Sequence, residues 1–198
     1  MIEGIERADS FALNPHKWLL TNFDCTAHFV REPADLVRTL TVLPAYLQSR
    51  ETGEVIDYRD WGVPLGRRFR ALKLWFVIRS YGVDRLKAML RDHIAWTAEL
   101  AELIRAEPDF ELTSPPNLAL LSFRYKPAGI DDDEALDARN ERLLEALNDD
   151  GRLYLTQNRL RGRYVIRFAI GQLYTTRAHV LRAFEVIKAT ARRLSDTE

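Results

Sequence analysis

The stretch FALNPHKWLLTNF, residues 11–23, decides how the rest of the sequence is interpreted, because it sets Lys17 between two apolar runs. An ammonium group buried without a partner is costly, so a lysine in such surroundings either extends to water or has a chemical role. Poor hydration favours the neutral amine, the form that makes a Schiff base with an aldehyde. The pentapeptide NPHKW, residues 14–18, fits both a reactive lysine and a lysine at a strand end whose ammonium reaches solvent.

Composition and charge limit the class of protein. The 198 residues are 46% hydrophobic and 29% charged, which is typical of a globular chain with one core or one and a half domains. Lysine plus arginine and aspartate plus glutamate number 29 each, so net charge gives no general attraction to nucleic acid or an anionic membrane. A single cysteine, Cys25, excludes a disulfide framework. With no apolar leader in MIEGIERADS, we expect a cytoplasmic protein whose partners are small molecules or protein surfaces.

Apolar periodicity predicts both helices and strands. Short apolar runs and turn signals fill residues 1–65, as short strands and loops would, after which the spacing in RRFRALKLWFVIRSYG predicts a helix with one broad apolar face, capped by Gly82. A second helix runs until Pro108. Beyond it we expect an α+β unit, with strands in FELTS, LALLSFRY, RLYLTQ and YVIRFAIG, a helix before Gly151 and a last helix from Thr176.

The pattern divides the chain into three predicted parts: residues 1–70, two connecting helices in residues 71–105, and an α+β domain in residues 106–198. The first part offers no strand and helix pair that could cover the apolar runs around Lys17. We therefore expect it to be the C-terminal edge of a larger domain whose other elements lie upstream, and we expect the third part to be complete.

Three longer stretches carry a family resemblance. They are ADSFALNPHKWLLTNFDCTAHFV, AYLQSRETGEVIDYRDWGVPLGRRFRALKLWFVIRSYGV and YVIRFAIGQLYTT. In this order they resemble the C-terminal part of the group II pyridoxal-phosphate-dependent decarboxylases, closest to the aromatic-L-amino-acid decarboxylases. The similarity covers nearly the whole chain and is weakest between residues 108 and 152. It implies the α/β fold of the pyridoxal-phosphate-dependent transferases (fold type I), pyridoxal 5'-phosphate as cofactor, and a homodimer in the full-length enzyme.

The resemblance implies roles around Lys17, which matches the lysine that carries pyridoxal phosphate. Asn14 and His16 match cofactor-side positions, Asn14 on the phosphate and His16 near the phosphate or the substrate, where it would also serve catalysis. Trp18 and Phe23 would help to wall the substrate pocket. The alternatives are a hydrogen-bonded histidine in a turn for His16 and plain core for Trp18 and Phe23. For Phe23 the core interpretation is the favoured one.

Tyr46 is the second predicted catalytic residue. The polar segment from Gln48 to Asp57 contains Gly53 and is typical of a mobile loop, of the kind that closes over active sites. The resemblance implies a flexible catalytic loop here, with a tyrosine at this position. A phenol can deliver a proton after carbon dioxide leaves, which a phenylalanine cannot. The alternative is an aromatic anchor at the foot of a surface loop.

Three further positions match residues near the family's pocket. Leu65 and Gly66 match pocket-lining positions, and Leu65 would reach the partner subunit's site. In plant members a glycine at the position of Gly66 accompanies indolic substrates and a serine accompanies phenolic ones. Arg167 in YVIRFAIG matches an arginine near the site. An arginine at a strand edge with a structural ion pair is an equal alternative for Arg167.

The basic run GVPLGRRFR raises a nucleic-acid alternative, since Arg67, Arg68 and Arg70 lie close together. The balanced charge argues against it, and in the family the same run supports the closing loop and the dimer. Cys25 and the three histidines other than His16 show no spacing for a metal or a catalytic triad. We therefore interpret these four residues as structural and expect no metal.

The implied reaction is decarboxylation of an aromatic L-amino acid to the corresponding amine and carbon dioxide. Three parts of the family's site are not found in this sequence: the backbone cup for the phosphate, the histidine that stacks on the cofactor ring, and the aspartate that pairs with the pyridine nitrogen. We therefore expect the C-terminal portion of an enzyme, inactive as this chain alone. An aromatic aldehyde synthase on the same scaffold and a non-catalytic remnant are the alternatives, and Tyr46 favours the decarboxylase over the synthase.

Overall fold

The structure is a computed structural model that describes residues 3–42 and 56–195. The chain forms two compact units, Met1–Gly82 and Val83–Glu198. The division falls inside the stretch 71–105 predicted as connecting helices, between one helix and the next. Each of these two helices therefore belongs to a different unit.

The described residues of the first unit form strands β1 (Ser10–Leu13) and β2 (Ala27–Val30) and α-helices α1 (Pro33–Leu40) and α2 (Arg70–Tyr81). The two strands pair antiparallel, with Leu13 opposite Ala27 where the connecting segment begins and ends. This pairing holds the two ends of residues 14–26 together. The segment that contains Lys17 thus starts and finishes on one strand pair.

Helix α2 forms where the sequence predicts it, but its apolar face is not buried. Gly82 ends the helix as expected, with a φ of 76° and its N–H donating to the carbonyl of Ile78 at 2.9 Å. No residue of α2 is buried, and Trp75 and Phe76 are 54% and 55% exposed. The predicted apolar face is therefore present but exposed among the described residues. Periodicity fixes which side chains share a face, whereas burial also needs a second surface opposite that face.

The second unit is a four-stranded antiparallel sheet in the order β3-β4-β6-β5, accompanied by three helices. Its elements are α3 (Val83–Ala106), β3 (Phe110–Asn117), β4 (Leu120–Tyr125), α4 (Asp133–Asp150), β5 (Thr156–Leu160), β6 (Arg163–Ala169) and α5 (Arg177–Ser195). Aromatic rings join the sheet to α5, because the Phe110 ring centroid lies 6.1 Å from that of Phe123 and 5.6 Å from that of Phe184. Sheet and helices therefore share one core.

Strand β5 begins at Thr156, later than the stretch RLYLTQ suggests, and the cause is local. Asn148 of α4 binds the backbone of Leu155 twice. Its Oδ1 accepts from the Leu155 amide at 2.9 Å, and its Nδ2 donates to the Leu155 carbonyl at 3.1 Å. Since a helix side chain takes both backbone groups, Leu155 cannot use them in the sheet.

A buried arginine links the sheet to α4. The side chain of Arg124 has no exposed surface, and its guanidinium donates to Asp133 at 2.7 Å and to Asp137 at 2.6 Å. Asp137 also accepts from the Tyr164 amide at 2.8 Å and from Arg159 at 2.9 Å. The hydrogen bond from Arg124 is the main cause that lowers the pKa of Asp133. Because a buried cation without partners is costly, this network holds the start of α4 against the sheet.

Asp137→Ala is expected to lower the free energy of unfolding by about 3 kcal/mol, because it leaves the buried guanidinium of Arg124 with only the more exposed Asp133. Urea denaturation followed by circular dichroism measures the change. Asp131→Ala is the matched control, since the Asp131 side chain is 93% exposed. The control should change the free energy of unfolding by less than about 0.5 kcal/mol. Equal losses in the two variants would contradict the role of the network.

His93 on α3 is buried, with 1% of its surface exposed, and its ring centroid lies 5.5 Å from that of Trp96. Burial lowers the pKa of His93 below its usual value of 6.5, and the charge of Asp92 opposes this shift. The folded protein therefore holds a neutral ring at pH values where the unfolded chain already takes up a proton.

We expect the contribution of His93 to stability to be fully present above a pH of 6.5 and to be lost as the pH falls from there through the lower pKa of the folded state. The free energy of unfolding should decline by up to about 1.4 kcal/mol per pH unit in this window. His93→Gln should remove this part of the slope. The measurement is urea denaturation at several pH values for the parent and the variant, and an unchanged slope in His93→Gln would show that another group causes it.

Candidate active site

The segment between β1 and β2 forms a turn that fixes the backbone of Lys17. The Lys17 N–H donates to the carbonyl of Asn14 at 2.9 Å, and the Lys17 carbonyl accepts from Leu20 at 3.2 Å. The Thr21 amide donates to the carbonyl of Pro15 at 3.1 Å. Leu20 has a φ of 62°, a left-handed conformation that lets the chain reverse. The turn therefore sets the direction in which the Lys17 side chain leaves the backbone.

The Lys17 side chain is exposed, although the sequence suggests apolar surroundings for it. Pro15 is buried in the same turn, and Trp18 is half-buried. The described residues therefore do not provide the expected apolar environment, because the turn places the proline inward and the lysine outward. An exposed primary amine is accessible to an aldehyde, and the cofactor role of Lys17 stays a prediction.

His16 is held through one ring nitrogen. Its Nδ1 lies 3.0 Å from the amide nitrogen and 2.7 Å from the carbonyl oxygen of Cys25. A backbone N–H is always a donor, so Nδ1 accepts from Cys25 in the neutral tautomer that carries its proton on Nε2. The other neutral tautomer, and the charged ring, donate from Nδ1 to the Cys25 carbonyl. In the Nε2–H tautomer and in the charged ring, Nε2 carries a hydrogen and can donate to a ligand.

Asn14 is oriented by the residue that precedes β2. Its Oδ1 accepts from the Thr26 hydroxyl at 2.8 Å, which leaves the Nδ2 group as the donor. One turn thus carries the amine of Lys17, the Nε2–H of His16 and the Nδ2 group of Asn14. Such a set suits a molecule with an aldehyde and an anionic group, because the amine can bond to the aldehyde while the other two groups donate to the anion.

Asp24 joins this turn to the start of α2. Its carboxylate accepts from Arg68 and from Arg70, each at 2.9 Å. The Nζ of Lys73 donates to the carbonyl of Asp24 at 2.7 Å and to that of Asn22 at 2.9 Å. The hydrogen bond from Arg70 is the main cause that lowers the pKa of Asp24. Two arginines of the basic run thus bind a carboxylate of this chain.

No sequence pattern predicts the contacts of Asp24 and Lys73. The residues that these contacts join are 44 to 51 positions apart, and no periodicity or motif connects them. One acidic residue in NFDC and one lysine in RALKLW carry no local signal of a contact. The excess of cations in residues 67–73 is the sequence signal that could have indicated a carboxylate partner elsewhere in the chain.

Phe23 lies in the same turn, and its ring is at the surface. Its ring meets that of His16 edge-on, with the centroids 4.8 Å apart, and 82% of its surface is exposed. The core interpretation of Phe23 is therefore wrong, because its ring contacts His16 at the surface and is not enclosed by other side chains. Leu65 is 60% exposed, and no atom lies within 4 Å of a Cβ placed on Gly66. Among the described residues, no hydrogen bond or ring contact joins these two positions to the turn, and their pocket roles stay predictions.

Arg167 and Tyr46 are not part of this turn as described. Tyr46 lies in residues 43–55, outside the described residues. Arg167 belongs to the second unit, on β6, opposite Ser122 of β4 and Thr156 of β5. Its backbone takes part in the sheet, and its half-buried side chain makes no hydrogen bond or ion pair with another described residue. The alternative of a strand-edge arginine with an ion pair is therefore wrong, because the strand order places β6 inside the sheet.

The residues interpreted as structural have ordinary surroundings. Cys25 is a buried free thiol, His28 is exposed on β2, and the Nδ1 of His179 accepts from the Thr176 amide at 3.3 Å at the start of α5. In the part of the chain that the structure describes, no group of three or more His, Cys, Asp or Glu side chains is placed to hold a metal ion. Within residues 3–42 and 56–195, no helix is both long and apolar enough to cross a membrane.

Comparison with known proteins shows what this chain resembles. The family model described as "Pyridoxal-dependent decarboxylase conserved domain" matches residues 1–126. Tyrosine decarboxylase 4 of Petroselinum crispum is 43% identical over 200 residues, which cover 98% of this chain and 39% of the relative. Phenylacetaldehyde synthase of Arabidopsis thaliana is 42% identical over 192 residues, which cover 96% of this chain and 39% of the relative. The chain thus spans about two fifths of the length of these relatives.

The fold agrees with these matches. The crystal structure of Oryza sativa TDC with PLP and tryptamine has a TM-score of 0.90 to this chain at 39% identity, covering 98% of this chain and 40% of that one. This confirms the predicted α/β fold of pyridoxal-phosphate-dependent enzymes. The donors of the Lys17 turn fit such a cofactor, which offers one aldehyde and one phosphate. The family model, the identity to the relatives and the fold together show that the chain belongs to the group II pyridoxal-phosphate-dependent decarboxylases.

Proposed function

We propose that the protein carrying this sequence is a pyridoxal-phosphate-dependent carboxy-lyase, which converts an aromatic L-amino acid to the corresponding amine and carbon dioxide. The observation that carries the proposal is the Lys17 turn, where an exposed amine shares one turn with the donors of His16 and Asn14. The tyrosine decarboxylase relative and the TDC structure with tryptamine support an aromatic substrate.

The turn supplies the groups that would hold the cofactor. Lys17 would carry the aldehyde carbon, and Asn14 and His16 would donate to the phosphate. When bound, pyridoxal phosphate supplies an acceptor for the electron pair that departing carbon dioxide leaves behind. His16 keeps a fixed orientation while it donates from Nε2, because its Nδ1 is bound to the backbone of Cys25.

The aromatic ring of the substrate is proposed to lie against Trp18 and Phe23, with Leu65 and Gly66 at pocket-lining positions. A role of Arg167 near the site stays a prediction from the family resemblance. The exposed ring of Phe23 offers apolar surface for an aromatic contact. The relatives include a tyrosine decarboxylase and a structure with tryptamine, so the proposal covers both phenolic and indolic rings.

We also propose that the active protein is a homodimer, in which Leu65 reaches the partner subunit's site. The apolar side chains exposed on α2, among them Trp75 and Phe76, support the proposal that this helix lies in a protein interface. Clusters of exposed apolar side chains commonly mark such interfaces.

Lys17 is expected to be the lysine that bonds to the cofactor. Borohydride reduction of the cofactor-loaded protein, followed by peptide mapping, should place the pyridoxyl mass on Lys17, and Lys17→Arg should abolish the label there. Lys87 on α3 is the matched control, because it is also an exposed lysine. A label on Lys87 or Lys73 in place of Lys17 would contradict the proposal.

An aromatic aldehyde synthase is the second candidate, because the Arabidopsis thaliana relative at 42% identity carries such a name. Both reactions release carbon dioxide and differ in what then reacts at Cα. A proton gives the amine, whereas oxygen and water together give the aldehyde, ammonia and hydrogen peroxide. Tyr46 supports the decarboxylase, since its phenol can supply that proton.

Tyr46→Phe keeps the ring and removes the acid, so amine formation should fall by ~10²–10⁴-fold. Aldehyde and hydrogen peroxide should rise, because oxygen then reacts where the proton is missing. The assay measures amine, aldehyde and peroxide together under air. Tyr58→Phe is the control, since Tyr58 is another tyrosine of the first unit and is 66% exposed. Amine at the parent rate without aldehyde in Tyr46→Phe would show that Tyr46 only anchors the loop.

A further inference from the structure

Lys73 binds one end of a peptide group whose other end binds His16. The Nζ of Lys73 donates to the carbonyl oxygen of Asp24 at 2.7 Å. The amide of Cys25 belongs to the same peptide group and donates to Nδ1 of His16 at 3.0 Å. A cation on the carbonyl polarises a peptide group and strengthens its N–H as a donor. Lys73 and His16 are thus coupled through a single planar unit.

This peptide group is fixed from several sides. The carboxylate of Asp24 accepts from Arg68 and Arg70, each at 2.9 Å. Cys25 is 4% exposed, and its Sγ lies 3.7 Å from the carbonyl oxygen of Arg70. The group therefore cannot rotate away from the imidazole without breaking charge-assisted hydrogen bonds to the start of α2.

We propose that Lys73 is a positioning residue for the reaction: by binding the Asp24–Cys25 peptide group, it keeps Nδ1 of His16 an acceptor and the ring proton on Nε2. This inference rests on the proposed function, in which His16 donates to the cofactor from Nε2. Loss of the ammonium weakens the Cys25 N–H as a donor. Nδ1 then takes the proton and donates to the Cys25 carbonyl, 2.7 Å away. The Nε2 of that neutral ring has no hydrogen to donate to an anion.

The tautomer of His16 is the first readout. The expressed protein is labelled with nitrogen-15 histidine and freed of cofactor, and its His16 signals are assigned with His16→Gln. In the parent protein we expect the neutral ring to be mainly in the Nε2–H form. In Lys73→Met, which keeps the chain length and removes the charge, the ratio of the Nε2–H to the Nδ1–H form should fall by about 2- to 10-fold, the effect of one hydrogen bond. Lys73→Arg should restore most of the ratio, and Lys87→Met should leave it unchanged.

Affinity for pyridoxal phosphate, measured by equilibrium dialysis, is the second readout. Lys73→Met should weaken binding by about 2- to 10-fold in the parent background and not weaken it further when His16→Gln is already present, because the two residues act as one unit. An equal loss in both backgrounds, or an unchanged tautomer ratio, would overturn the proposal.

The same experiments also cover a variant that does not fold and a parent protein that lacks the proposed function. If circular dichroism shows that Lys73→Met does not fold, Lys73→Gln carries the test, because it also removes the charge but keeps a polar side chain. A full-length parent protein that neither binds pyridoxal phosphate nor forms amine would refute the proposed function. The tautomer ratio of His16 in the cofactor-free protein would still decide whether Lys73 sets the ring proton.

Discussion

The contacts between residues 22–25 and the start of α2 are the constraint on which the candidate site depends. The turn that carries Lys17 buries Pro15, Thr21 and Cys25 but leaves the lysine exposed, so packing of the lysine itself does not orient the turn. Charge-assisted hydrogen bonds from Arg68 and Arg70 to the Asp24 carboxylate supply that orientation instead. Partly exposed ion pairs contribute little to global stability, so the main effect of these pairs is to orient the turn.

The well-packed core lies in the second unit, whereas the proposed cofactor lysine lies in the first. The second unit has a dense core in which Phe123, Leu143 and Ile166 have no exposed surface. The first unit carries the Lys17 turn but leaves the apolar face of α2 exposed. Catalytic groups are commonly placed on loops that a scaffold positions, and here the scaffold of the turn is the β1 and β2 pair together with α2. Contacts on the exposed face of α2 would therefore also influence the turn.

Family membership and detailed function rest on different observations. Fold and identity along nearly the whole chain show the decarboxylase family, whereas the choice between amine and aldehyde depends on how one proton is delivered. Relatives named for either reaction match this chain at 43% and 42% identity, so function has to be argued from the site and not from the fold. The turn presents the groups that are proposed to hold a cofactor, and Tyr46 is the position on which the outcome of the reaction is proposed to depend.

The sequence by itself determined the helices from α2 onward, the strands of the second unit, the family and the donors of the turn. It did not determine α1, which lies in a stretch expected to hold short strands and loops. Helices follow from apolar spacing and from glycines such as Gly82 and Gly151, because local hydrogen bonds and left-handed caps are encoded over a few neighbouring residues. Only the tertiary structure decided the exposure of Lys17 and Phe23, the inner-strand place of Arg167, and the contacts of Asp24 and Lys73. These depend on residues up to 51 positions apart, and which distant groups meet is set by the folded path of the chain, which no local pattern records.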